Sequence, residues 1–298
     1  MAKTGSNRFM SAKTSLRFVK NLLIASAAGL LAISTLSAKA ELLVGISFPS
    51  QGGGDNDIVG FDSSNPGSIS FDHPINGLAS GESIRGIDFW NGAVYGLGSG
   101  GNLYTLDYNT GQATRVGTGL GVVLNGASYG VENDTTGFHI VSELGQNLTA
   151  NRTTGAATVG PAVSPTGTFL SALAFRRSGV PTMFGIDSSA NTFGTFDPVL
   201  GHYTTIGSLG FDVARNNGFD ISDASGTAYL ASGATSSDVQ ANLYTINLAT
   251  GLASLLGQIG QPGDNTLLRG LTVVPEPGSA TLLLGGLALL VMNFRRRK

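Results

Sequence analysis

The chain has 298 residues, 44 of them glycine and none cysteine, so disulfides, thiolate nucleophiles and cysteine-zinc sites are excluded together. The formal net charge is −2, but six of the 17 Lys and Arg lie at or before Lys39 and four more are Arg295, Arg296, Arg297 and Lys298; the seven arginines between residues 41 and 274 face 18 acidic residues, a charge of −11. A body this acidic repels a phosphate backbone, which disfavours nucleic acid as a partner.

In chain order, Lys3, Arg8, Lys13, Arg17 and Lys20 precede an apolar stretch from Leu22 to Leu36, and Ala38-Lys39-Ala40 supplies small residues two apart. A basic start, an apolar centre and an A-x-A end make residues 1–40 a secretory signal peptide, with signal peptidase cutting between Ala40 and Glu41. An uncleaved anchor is the alternative, because the basic region is long.

Residues 41–274 read as one all-β domain of five repeats. Leu42 to Ile46 is a strand, followed by a glycine-rich loop from Gln51 to Asn56. A repeat unit then recurs, clearest in Asn102 to Gly117, where the run Leu103-Tyr104-Thr105-Leu106 meets a polar turn ending in Gly111 and a second short run reaches Val116. That is a β-hairpin whose turn needs one residue at positive φ, supplied by glycine. Copies occupy Asn147 to Gly160, Asn191 to Gly207 and Asn242 to Gly257, with a worn first copy over Asp57 to Gly67. Turn glycines at 67, 111, 155, 201 and 251 are spaced 44, 44, 46 and 50 residues apart. A period of about 40 to 50 residues built from strands points to propeller blades.

A second hairpin around Asn91-Gly92 completes a four-stranded unit from Ile84 to Val116, and looser units run from Ser128 to Val159, Leu170 to Ile206 and Gly218 to Leu256. Strands apolar on both faces suit blades packed between neighbours. The last strand, residues 268–274 with Arg269-Gly270-Leu271, matches Arg85-Gly86-Ile87. It is therefore expected to complete the first blade and close a five-bladed β-propeller by pairing N- and C-terminal strands.

Residues 275–298 begin with Pro275-Glu276-Pro277, continue through an apolar run from Ala280 to Phe294, and end on Arg295-Arg296-Arg297-Lys298. Fifteen residues of helix span about 22 Å, short of a ~30 Å hydrocarbon core, which makes a marginal membrane helix with its basic end in the cytoplasm. These three parts in order closely resemble the PEP-CTERM sorting signal of Gram-negative bacteria. The resemblance implies an inner-membrane intermediate, cutting near Pro-Glu-Pro by an exosortase, and release towards the cell surface and exopolysaccharide matrix. A retained tail anchor is the alternative. The repeats Leu-Tyr-x-Leu/Ile-Asp/Asn, Thr-Gly-x-Ala and Gly-Ile/Phe-Asp-Phe/Ile also resemble a secreted bacterial family of unknown function, which implies a propeller and no known activity.

The inner strand of each blade lines a propeller's channel. Aligning the units makes Asp88 and Asp220 equivalent, with Gly130, Ala174 and Thr272 as approximate counterparts, and pairs Arg85 with Arg269. Two carboxylates can serve as acid and base on a glycosidic bond, although an Asp in a Gly-x-Asp repeat also commonly bonds local backbone N–H groups in a turn. Asp55, Asn56 and Asp57 offer oxygen ligands of the kind Ca²⁺ takes, without the spacing of a known calcium loop. His73, His139 and His202 do not fall at metal-ligand spacing. Trp90, the single tryptophan, can stack on a sugar or pack at a loop edge. The expectation is a non-catalytic interaction or matrix module associated with exopolysaccharide; an extracellular polysaccharide hydrolase or lyase using Asp88 and Asp220 is the alternative.

Overall fold

A computed structural model describes residues 40–49, 56–233, 240–264 and 266–275, so the expected leader up to Lys39 and the C-terminal helix lie outside the described residues. Blade I contains β1 (Leu42–Pro49), β2 (Asp57–Asp62) and β3 (Asn65–Pro74). Blade II is β4 (Ile84–Trp90), β5 (Ala93–Gly98), β6 (Leu103–Asp107) and β7 (Gln112–Val116). Blade III is β8 (Tyr129–Asn133), β9 (Phe138–Ser142), β10 (Asn147–Ala150) and β11 (Ala157–Val159). Blade IV is β12 (Leu170–Arg176), β13 (Thr182–Asp187), β14 (Thr192–Asp197) and β15 (His202–Ser208). Blade V is β16 (Asn217–Ile221), β17 (Ala228–Ser232), β18 (Asn242–Ile246) and β19 (Ala253–Gln258), and β20 (Thr266–Val274) returns to blade I. Each blade is an antiparallel four-stranded sheet, and the order in blade I is β20-β1-β2-β3.

Closure therefore happens as the repeats require. β20 pairs antiparallel with β1 from Leu42↔Val274 to Pro49↔Thr266, with one bulge between Gly45 and Ile46. The inner strand of blade I thus comes from the far end of the domain, which ties both ends of the body into one sheet.

Five apolar clusters fill the five gaps between blades, and alternate residues of one strand serve opposite gaps. In β1, Leu43 packs towards blade V with Tyr229, Leu243 and Leu271, whereas Val44 packs towards blade II with Ile84 and Tyr104. Each such side chain contributes about 1.5–3 kcal/mol when fully buried. This double burial is the reason inner and middle strands such as β8, β9, β16 and β17 are buried throughout, while the outermost strands β3, β7, β11, β15 and β19 keep exposed positions.

The hairpin turns share one chemistry. Asp107 Oδ1 accepts from Asn109 N–H at 2.9 Å, while the N–H of Gly111, at φ 74°, donates to Asp107 O at 2.8 Å. Asn151 and Asn247 repeat both bonds with Gly155 and Gly251. A Cβ on Gly111 would lie 2.2 Å from Pro74 O, so the turn also docks against the preceding blade. Blade I departs from this pattern. Its turn is Ser63-Ser64, held by Asp62 Oδ1, and Asn65-Pro66-Gly67 lies inside the bulged start of β3. The worn copy was expected to turn at Gly67, but Asp62 captures the Ser64 N–H and hydroxyl and turns the chain earlier.

At the axis the inner strands meet backbone to backbone. A Cβ on Gly218 would lie 2.4 Å from Gly270 C, and one on Gly130 would lie 2.9 Å from Ala172 Cα. No rotamer relieves a clash with backbone, so Gly218→Ala is expected to destabilise the domain by about 1–3 kcal/mol or more, read as a lowered denaturant midpoint. An unchanged midpoint would contradict this packing.

Candidate functional site

The inner strands carry a register that repeats around the axis. Gly86, Gly130, Ala172, Gly218 and Gly270 line a residual void of about 10 Å³, room for one water-sized sphere. Two residues further along each strand stand Asp88, Glu132, Ala174, Asp220 and Thr272. One residue before this glycine layer are Arg85 and Arg269. Burial, followed by the charge of Arg85, pulls the Arg269 guanidinium down to about 10.

The side chain at the second position reaches the next blade. Thr272 Oγ1 of blade I accepts from Phe89 N–H of blade II at 2.9 Å. Asp88 Oδ2 of blade II accepts from Asn133 N–H of blade III at 2.9 Å. Asp220 Oδ2 of blade V accepts from Val273 N–H of blade I at 2.6 Å. Three of the five junctions are thus laced by the same bond between equivalent positions. Ala174 has no side-chain acceptor to offer blade V, and the N–H of Ile221 turns instead to its own residue-neighbour Asp220 Oδ1 at 2.6 Å. Glu132, one methylene longer than Asp, makes no backbone bond to blade IV among the described residues.

These groups converge. Asp88, Glu132 and Asp220 each bring a carboxylate oxygen within 4.8 Å of the other two. Thr272 Oγ1 lies 3.2 Å from Asp88 Oδ1 and 3.0 Å from Asp220 Oδ2. A hydroxyl has one proton and can donate to only one of them at a time. Arg177 approaches from blade IV: Nη2 lies 3.4 Å from Glu132 Oε1 and donates to Asn133 O at 2.6 Å, while Nη1 lies 3.2 Å from Asp223 Oδ2.

Burial dominates the electrostatics. It raises the carboxyls of Glu132 and Asp220 well above their ordinary range, and the charge of Asp88 pushes both further. Burial also raises Asp88, offset in part by Arg177 and the N–H of Asn133. Arg177 moves the other way: burial alone would lower it, but Glu132, Asp88 and Asp223 raise it, so it stays charged.

The sequence pattern brought Asp88 and Asp220 to equivalent places, and the fold joins them with Thr272 between. The blade III counterpart is Glu132 rather than Gly130, because Gly130-Val131-Glu132 has the spacing of Gly86-Ile87-Asp88. Both aspartates hold backbone N–H groups of the next blade, not only those of a local turn. Trp90 packs under two guanidinium groups, with Arg152 and Arg177 carbons 4.6 and 5.0 Å from its centroid. His139 is buried against Asp134 at 3.0 Å, His73 stacks on Phe71, and His202 meets Ser164 Oγ at 3.2 Å. Asn56 Nδ2 donates to Ser47 O at 3.4 Å and Asp57 opens β2, while Asp55 lies outside the described residues. Pro275 is exposed at the end of the domain, and Glu276, Pro277, Arg295, Arg296 and Arg297 lie outside the described residues, as do Ala38 and the expected helix. Glu41 is described: its carboxylate accepts from Ser222, Ser225 and Tyr229 hydroxyls of blade V.

Comparison with known proteins adds two family matches. Residues 57–272 match a domain of unknown function, DUF4394, and residues 273–298 match the PEP-CTERM protein-sorting motif. No curated protein matches the chain. Among solved structures, a nidogen/laminin complex is similar at 11% identity and TM-score 0.48, over 79% of this chain and 98% of that one. A protein of unknown function from Bacteroides thetaiotaomicron is similar at 17% identity and TM-score 0.49, over 79% of this chain and 65% of that one. Glutaminyl cyclase from Myxococcus xanthus is similar at 10% identity and TM-score 0.42, over 59% and 76%. At these scores the likenesses carry nothing about what the chain binds. The chain belongs to the DUF4394 family and ends in a PEP-CTERM motif, which implies export towards the cell surface and processing by an exosortase-type enzyme.

Two predictions follow from the lacing. Thr272→Val keeps the shape but strands the Phe89 N–H, and should cost about 1–3 kcal/mol, whereas Thr272→Ser should recover most of it. Equal loss in both variants would contradict the role of the hydroxyl. In metal-free buffer the raised carboxyls bind protons in the folded state that the unfolded chain releases. The stability these carboxyls contribute is then fully present below the ordinary carboxylate range and is lost as pH rises through the raised folded values. The fall of the thermal midpoint as pH rises above the ordinary carboxylate range should therefore be shallower in Asp220→Asn than in the parent protein. An identical slope in that variant would contradict the assignment.

Proposed function

We propose that this exported DUF4394 protein is a non-catalytic interaction module of the cell surface or extracellular matrix, associated with exopolysaccharide. The observation that supports it most is the burial of the axial carboxylates. Asp88, Glu132 and Asp220 are 2%, 0% and 4% exposed, and general acid–base work needs a carboxyl within hydrogen-bond reach of a substrate atom. Groups buried this deeply and engaged between blades are placed to hold the ring together, which leaves binding to the outer surface. The sorting motif supplies the destination. An acidic body of −11 between residues 41 and 274 disfavours polyanionic glycans and favours neutral or cationic ones.

The proposed organisation is a leader over residues 1–40, the propeller over 41–274 and the sorting signal over 275–298. Maturation cuts at Ala40–Glu41 and near Pro275-Glu276-Pro277, and the protein passes through an inner-membrane intermediate held by the C-terminal helix.

Protein recovered from the medium should have an intact mass lacking both end segments, and should be retained on exopolysaccharide isolated from the producing cells. It should release no reducing sugar or unsaturated product from that polysaccharide. Absence of retention on any matrix glycan would contradict the binding role. Turnover that disappears in Asp88→Asn would instead establish a hydrolase or lyase.

A further inference from the structure

We propose that Asp88, Glu132 and Asp220 form a binding site for one hard divalent cation, Ca²⁺ by its buried, all-protein oxygen donors, which ties blades II, III and V together at the propeller axis.

The first ground is geometric. One oxygen from each carboxylate lies within 4.8 Å of the others, close enough for a single ion with oxygen ligands at about 2.3–2.6 Å to be held by all three. Thr272 Oγ1, 3.2 and 3.0 Å from oxygens of Asp88 and Asp220, adds a neutral oxygen beside the same point. Oxygen-only donors, with no nitrogen or sulfur ligand in the set, suit a hard cation.

The second ground is independent of the clustering. The Glu132 side chain is 1% exposed, and its Oε2 has no hydrogen-bond partner among the described residues. A buried carboxylate oxygen normally accepts at least one bond, and leaving it unmet is costly. Asp88 and Asp220 meet this need by taking an N–H from the next blade; Glu132 takes none, and its carboxylate sits among theirs.

Charge points the same way. Three carboxylates converge, and the guanidinium against them, Arg177, is shared with Asp223. Arg152, the other cation on this side, is turned to Asn133 Oδ1 and Asp134 O. Arg177 holds only Glu132 Oε1, at 3.4 Å, and keeps Asp223 and Asn133 O as further partners, so a cation can take the carboxylate without stranding the guanidinium.

The test uses the exported protein, stripped with chelator and titrated with Ca²⁺ alone by calorimetry and thermal unfolding. One equivalent should bind and raise the thermal midpoint by several degrees. Glu132→Gln should weaken binding at least as much as losing an outer-shell partner does, about 10- to 100-fold, while Asp57→Asn, at the start of β2 in blade I, should leave it unchanged. Tb³⁺ should replace Ca²⁺ and luminesce when excited through Trp90, the single tryptophan, two residues from Asp88; added Ca²⁺ should quench that emission. The quenching experiment needs no variant, so it stands if Glu132→Gln does not fold. Absence of one-to-one Ca²⁺ binding, absence of Trp90-sensitised emission, unchanged affinity in Glu132→Gln, or loss of binding in Asp57→Asn would each overturn the proposal.

Discussion

Five blades leave almost no room at the axis, and that scarcity of space governs the rest of this molecule. Where the inner strands meet, a methyl group on Gly218 would sit 2.4 Å from the backbone of Gly270. Small residues are therefore required in one layer. In the next, Asp88, Glu132, Asp220 and Thr272 are pressed together whether or not their charges favour it. The void that remains has room for about one water. A larger ring would put its carboxylates on the walls of an open channel; here they become part of the packing.

This crowding changes what the polar residues do. An isolated buried carboxylate is costly unless paired and hydrogen-bonded, and Asp88 and Asp220 each meet that demand with an N–H of the following blade, as the Thr272 hydroxyl does beside them. The apolar clusters between blades give most of the stabilisation, but they are non-directional. The lacing at the axis supplies what they lack, a fixed register between neighbouring sheets. It is interrupted at blades III and IV, where Glu132 is too long and Ala174 too short for the same bond. Arg177 occupies that side, reaching from blade IV to Glu132 and Asn133 of blade III.

The architecture was largely legible in the sequence because its signals are local. The turn at Asp107 to Gly111 depends on residues four apart, and its copies at Asn151 and Asn247 carry the same pair. The match between Arg269-Gly270-Leu271 and Arg85-Gly86-Ile87 was enough to bring the last strand to the first blade. Gly67 misled because a worn repeat kept the glycine while Asp62 moved the turn to Ser63-Ser64. The site was only half legible. Asp88 and Asp220 stand out as equivalent, but the pattern says nothing of whether equivalent residues touch, since that depends on ring diameter. Glu132 was discoverable, given that Gly130-Val131-Glu132 keeps the spacing; it was hidden by matching Gly130 to the aspartates instead of to the glycines before them. The role of Thr272, and the unmet acceptor at Glu132 Oε2, arise only between blades.

In native-state amide hydrogen exchange the axial bonds between blades should be the last to open. The amides of Phe89, Asn133 and Val273 should exchange only through global unfolding, far more slowly than amides of the outermost strands such as β11 and β19. Exchange of those three amides at the rate of the outer strands, with the rest of the inner strands still protected, would show that the carboxylates and Thr272 do not lace the ring.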